Sequence, residues 1–169
     1  MIHELLGFTG EDVTDKFIEL EDYKGESNAV YCADNPEEKK FLCFEPDKSD
    51  EANRKKINPE PRCDFLLVGK SDKSVRFIEL KGRDKQNNDC RHCPWTWAHG
   101  FHQLSLSFNA YRHCYEPEDV FDMILCTSIP KAARKGRSAN YIKYRHYKEI
   151  HQLTGKPPKV LYQGDIDEV

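Results

Sequence analysis

"CDFLLVGKSDKSVRFIELKG" occupies residues 63–82. "DFLLVG" (64–69) and "VRFIELKG" (75–82) are rich in the Val, Ile, Phe and Leu that favour strands. "KSDKS" (70–74) between them supplies turn residues. A turn centred between Ser71 and Asp72 pairs Gly69 with Ser74, Leu67 with Arg76 and Asp64 with Glu79. Cross-strand partners share a face, with Cβ atoms about 4.5–5.5 Å apart. Lys81 lies two residues beyond Glu79 and joins that face. Leu66, Val68, Val75 and Phe77 fall on the charged face, and Phe65, Leu67, Ile78 and Leu80 on the other. Strands apolar on both faces suit the middle of a covered sheet. The hairpin therefore gathers Asp64, Glu79 and Lys81 at one end of a buried scaffold.

Working outward, "VFDMILCTSIP" (120–130) reads as a further apolar strand ended by Pro130. Between it and the hairpin, Trp97, Phe101, Leu104, Phe108 and Tyr111 recur at helical spacing, which predicts an amphipathic helix over about 95–115. "RDKQNNDCRHCP" (83–94) is a polar loop. A second helix is predicted over about 139–153, stopped by Gly155 and two prolines, with "KVLYQGD" as a last strand. On the N-terminal side, "SNAVYCA" and "KKFLCFE" read as short strands around the turn "DNPEE". "PDKSDEANRKKINPEPR" (46–62) reads as a loop, and "GEDVTDKFIELEDY" (10–23) as a short helix with an acidic first turn. The order predicts an α/β protein: a mixed central β-sheet flanked by helices.

The bulk numbers set limits. The 169 residues, 38% hydrophobic and 33% charged, fit a single folded domain over 1–169. No apolar run approaches the roughly 18 residues that cross a bilayer. The first residues have acids among the apolar ones and no basic leader, so an intracellular, cytoplasmic protein away from membranes is expected. Seven cysteines, an odd number, argue against a disulfide framework.

Three charges at the end of a buried hairpin need an explanation. A salt bridge from Lys81 to Glu79 or Asp64 is the plain one. The chemical one is a hard divalent cation. Two desolvated carboxylates repel unless a cation joins them, and Mg²⁺ is typically held by one or two carboxylates plus waters and phosphates. A neighbouring lysine then positions water and stabilises charge developing on a phosphate.

"CDFLL" followed by "IELKG" resembles the active-site signature of the PD-(D/E)xK nuclease superfamily, the restriction-endonuclease-like fold. The resemblance covers about 41–130, where strands, helix and strand follow in the family's order. It implies that Asp64 and Glu79 bind Mg²⁺ (or Mn²⁺), with the Leu80 carbonyl as a further ligand and Lys81 as the catalytic lysine. It also implies a role for a glutamine on the next helix, here Gln103, and hydrolysis that leaves a 5′-phosphate. Cys63 stands where the motif has proline. The family commonly adds a glutamate from an N-terminal helix; Glu4, Glu19, Glu21, Glu45 and Glu51 are candidates, and Glu45 ends an apolar stretch.

Two further features bear on partners. "DCRHCPWTWAHGFHQ" offers Cys90, His92, Cys93, His99 and His102, and Cys63 or Cys114 could join them. A structural zinc site is one reading; loop cysteines with helix-surface histidines is the plainer one. Trp95 and Trp97 read as packing residues, with base stacking as the alternative. Charge is uneven: residues 1–60 hold 16 acids and 8 bases, whereas 131–160 hold 9 bases and one acid. Lys131, Arg134, Lys135, Arg137, Lys143 and Arg145 interleave with Tyr141, Tyr144 and Tyr147. Such a segment can contact the phosphates of a nucleic acid, with DNA as the expected substrate. It could instead dock on the acidic third of a second copy, making a homodimer, or on a protein partner. The expected function is a metal-dependent nuclease. The competing readings are a non-catalytic binding module of the same fold and a subunit active only with partners.

Overall fold

The computed structural model describes residues 10–21, 28–46, 63–82, 93–130 and 145–169, with backbone only at 93–96, 113 and 130. Nine strands are formed: β1 (Glu11–Val13), β2 (Phe17–Glu21), β3 (Val30–Asp34), β4 (Phe41–Phe44), β5 (Phe65–Gly69), β6 (Ser74–Lys81), β7 (Val120–Pro130), β8 (Lys159–Gln163) and β9 (Asp167–Glu168). Helix α1 (Cys93–Ala110) lies between β6 and β7, and α2 (Arg145–Thr154) between β7 and β8.

The hairpin has the expected register. Phe65 pairs with Ile78, Leu66 with Phe77, Leu67 with Arg76 and Val68 with Val75. Its turn is closed by Asp72, whose Oδ1 accepts the Ser74 N–H at 3.0 Å. Gly69 leaves room for that contact, because a Cβ would lie 1.9 Å from Asp72 Oδ1 and displace it. Around the hairpin grows a six-stranded sheet in the order β1-β4-β5-β6-β7-β8. Pairing is antiparallel from β1 to β6 and parallel from β6 to β8. The sheet is thus mixed, as expected, and the protein is α/β.

Alternation along the strands sorts the apolar residues into two cores. Leu66, Val68, Val75 and Phe77 pack with Trp97, Phe101, Leu104, Phe108 and Tyr111 of α1 and Ile150 of α2. Phe65, Leu67, Ile78 and Leu80 pack with Ile18, Tyr31 and Ala33. Among the described residues both helices therefore cover one face, and the other is covered by a small sheet, β2-β3-β9. The expected helices do pack on the mixed sheet, and the two that are described share one face. Crossovers β6–α1–β7 and β7–α2–β8 step in the same direction, and crossovers of one hand then place their helices on one side.

One correction is local. Residues 10–23 were expected to be helical, but β1 and β2 lie within that segment. In β2, Ile18 is buried and Glu19 and Glu21 are exposed, which is period two, not a helical stripe. Glu11 and Asp12, the acids that read as a helix start, are both exposed on the edge strand β1. The strands on either side of "DNPEE" do form, but they go to different sheets. Asn35, fully buried, holds the turn: its Nδ2 donates to the Asp15 and Lys39 carbonyls and its Oδ1 accepts the Lys39 N–H. On the same side, Asp167 of β9 receives Arg76 Nη1 at 2.7 Å, Lys159 Nζ at 2.9 Å and the Tyr31 hydroxyl at 3.2 Å. This buried polar knot ties the last strand to the central sheet.

The predicted helix begins and ends slightly early, followed by a 3₁₀ turn at Arg112–Cys114. The second helix is described from Arg145 and ends before Gly155, whose φ is +72°. No helix among the described residues is long and apolar enough to cross a membrane.

Gly100 sets how closely α1 approaches the sheet. A Cβ there would lie 2.5 Å from Leu125 Cδ1 and 3.3 Å from Lys81 Cγ. Gly100→Ala gains about 1 kcal/mol of helix propensity but overpacks a core contact at a cost of about 1–3 kcal/mol. Net destabilisation in urea unfolding is expected; a more stable variant would contradict the close approach.

Candidate functional site

The charged end of the hairpin is built from three directions. Just before β5, the Cys63 N–H donates to Ser107 Oγ of α1 at 2.7 Å, which anchors the chain as it enters the sheet. The next residue, Asp64, accepts the Leu80 N–H on its Oδ2 at 2.7 Å. The bond joins a carboxylate to a backbone donor, so it is among the stronger kinds. It extends the hairpin's pairing past the last ladder residue and fixes Asp64 against β6.

Glu79 follows Phe77 on the helix-facing side of β6 and is fully buried. Its Oε1 is ion-paired with Lys81 Nζ, whose side chain is 19% exposed. The site thus has a sealed acidic floor and a lysine at its rim. Parallel pairing sets Glu79 beside Leu125 and Lys81 beside Thr127 of β7. Thr127 is buried and shares the face of Leu125 in the alternation of β7. It was missed in the sequence because the parallel register of β6 and β7 depends on a crossover that no local pattern reveals. The cluster lies at the carboxyl ends of adjacent parallel strands, the place where open α/β sheets bind ligands.

Burial pushes the Cys63 thiol pKa well up, and the Glu79 and Asp64 charges add to the effect. Cys63 is thus an inert, apolar neighbour of the carboxylates and occupies the motif's proline position as a packing residue. From α1, Gln103 is half-buried with its Oε1 fully buried. The pKa of His99 is lowered by burial and then by the charges of Lys81 and His102.

The donors fit a hard cation in kind: two carboxylates and a backbone carbonyl at the end of a rigid hairpin. Among the described residues, no group of three or more His, Cys, Asp and Glu is placed to hold a metal ion. A two-carboxylate site leaves the other positions to water and phosphate oxygens, which is the habit of Mg²⁺. Two of the candidate extra ligands are corrected: Glu19 and Glu21 are exposed on β2, in the sheet across from α1. Glu45 is half-buried just past β4, and the alternation of Leu42 and Phe44 on the helix side carries it toward the other face. Glu4 and Glu51 lie outside the described residues.

Cys90 and His92 lie outside the described residues, as does the side chain of Cys93. His99 and His102 are on α1, while Cys63 and Cys114 are buried in the helix-side core. Of the basic residues, Lys131, Arg134, Lys135, Arg137 and Lys143 lie outside the described residues, as do Tyr141 and Tyr144, and Arg145 is exposed at the start of α2. Tyr147 packs edge-on against Phe101 at 5.4 Å, and Trp97 against Tyr162 at 6.4 Å. Both are packing residues.

No family model, curated protein or solved structure gives a significant match to this chain.

The Glu79–Lys81 pair makes single substitutions unequal. Lys81→Met leaves a buried carboxylate without its cation and should cost about 3–5 kcal/mol. Glu79→Gln with Lys81→Met removes both charges and should recover most of that. Urea unfolding of the singles and the double checks this; a double that loses as much as the two singles summed would show that the pair is not coupled.

Proposed function

We propose that this protein is a metal-dependent phosphodiesterase, a nuclease acting on DNA. The observation that carries the reading is the coincidence of three features at one end of one hairpin. Asp64 is locked to the Leu80 backbone, Glu79 is fully buried, and Lys81 is paired to Glu79 at the rim. The progression from strands through helix to strand over 41–130 supports the resemblance to the PD-(D/E)xK nucleases, with a mixed sheet carrying the motif on adjacent antiparallel strands.

Asp64, Glu79 and the Leu80 carbonyl would hold Mg²⁺ or Mn²⁺. When bound, the cation supplies Lewis-acid polarisation of a phosphoryl oxygen and eases deprotonation of water. The residues then divide the work. With Glu79 holding the cation, the Lys81 ammonium would no longer be needed to neutralise that carboxylate. Lys81, already at the rim, donates a hydrogen bond to the attacking water or to a phosphoryl oxygen and stabilises the charge that develops there. The water oxygen forms a bond to phosphorus as the P–O3′ bond breaks, leaving a 5′-phosphate and a 3′-hydroxyl. Gln103 on α1 can orient the water or phosphate by hydrogen bonding. Arg145 and the basic residues preceding it supply phosphate contacts that raise affinity without reading sequence.

A second reading is a binding module of the same fold. It is favoured by the closed Glu79–Lys81 pair, which is self-sufficient without a metal. Incubation with plasmid, single-stranded DNA and RNA, in Mg²⁺ or Mn²⁺ against EDTA, separates the two. The nuclease reading expects metal-dependent product that drops at least about a thousandfold in Asp64→Asn and Lys81→Met, with folding checked by circular dichroism. No product on any substrate, or Lys81→Met cleaving like wild type, would overturn it.

A further inference from the structure

The surface beside Lys81 carries a second cluster that the hydrolytic chemistry does not use. On α1, His99 and His102 sit one turn apart, flanking Gly100, where the helix touches Lys81. His102 stacks on His146 of α2, with ring centroids 4.3 Å apart and planes 22° from parallel. His146 is held from behind, since its Nδ1 meets Glu149 Oε2 at 3.0 Å. Beneath the stack, Phe101 and Tyr147 lock the two helices together. An open groove continues along α2, lined by Arg145, Lys148, Glu149 and Gln152.

We infer that His99, His102 and His146, with Arg145 and Lys148, form a subsite for a backbone phosphate of the nucleic-acid strand next to the one at Lys81. The inference rests on the nuclease reading and extends it to the path of the substrate.

The charges that face the cluster come from three elements. From β6 come Glu79 and Lys81; from α1, His99 and His102; from α2, Arg145, His146, Lys148 and Glu149. Each carboxylate has a partner within the cluster, Glu79 in Lys81 and Glu149 in His146. Among the described residues, the remaining side chains are basic or imidazole. Such a set of side chains fits an anion. An anion is held more strongly by a protonated than by a neutral imidazole, so binding to this cluster should tighten as pH falls. Glu149 holds one ring of the stack through His146 Nδ1.

The test is fluorescence anisotropy with the full chain in EDTA, using a labelled short DNA duplex and its single strand at pH 6 and pH 8. Wild type should bind at least one of them, about tenfold tighter at pH 6. His102→Gln with His146→Gln should weaken binding about tenfold at pH 6 and flatten the pH dependence. Because that pair lies between packed helices, the exposed His99→Gln and Lys148→Gln provide a check that does not depend on repacking. Both should weaken binding, and Lys148→Gln should make the salt dependence shallower by about one ion. Wild-type affinity and pH dependence in all three variants, or no binding of either DNA by wild type, would overturn the subsite. The binding arm contains no metal. A chain that binds in this way yet cleaves nothing in Mg²⁺ keeps the subsite and loses the nuclease reading; one that cleaves while its variants bind normally does the reverse.

Discussion

The antiparallel register of β5 and β6 is the constraint from which the rest follows. Side chains alternate with period two, so a slip of one residue would exchange every face. Leu66, Val68, Val75 and Phe77 would turn away from α1, and Phe65, Leu67, Ile78 and Leu80 would turn toward it. Glu79 would enter the core shared with the small sheet. The short turn, closed by Asp72 on Ser74, and the two apolar faces oppose that slip together. One further bond, from the Leu80 N–H to Asp64, carries the same register to the charged end. The scaffold and the cluster are therefore specified by a single pairing.

Much of this was legible in the sequence because hairpins are local. The turn and the alternation lie within twenty consecutive residues, and so the pairing and both faces could be read directly. The stripe of Trp97, Phe101, Leu104, Phe108 and Tyr111 was legible for the same reason, and all five are buried. Reading failed where tertiary partners decide. Residues 10–21 carry acids that suit a helix start, but β1 finds an edge on β4 and β2 pairs with β3, leaving those acids in solvent. The placement of both helices on one face depends on the direction of successive crossovers, not on any residue pattern. Thr127 and the contact of His102 with His146 are likewise products of topology.

Charge and packing constrain one another around Lys81. Gly100 lets α1 descend onto the lysine stem, and that proximity shields the Glu79–Lys81 pair from water. A pair so buried gains from each partner mainly by compensating the other's desolvation. The structure shows lysine on glutamate; the proposed function adds a second state, with glutamate on a cation and lysine released to an incoming phosphate. The proposed chemistry uses the exchange between them, and the binding-module reading uses only the first.

The exchange can be tested without any substrate. Manganese titration followed by electron paramagnetic resonance counts bound ions directly. The proposed site predicts saturable Mn²⁺ binding by the wild-type chain, competed by Mg²⁺ and lost in Asp64→Asn and in Glu79→Gln. Binding that is absent in wild type, or unchanged in both variants, would contradict a metal site at the end of this hairpin.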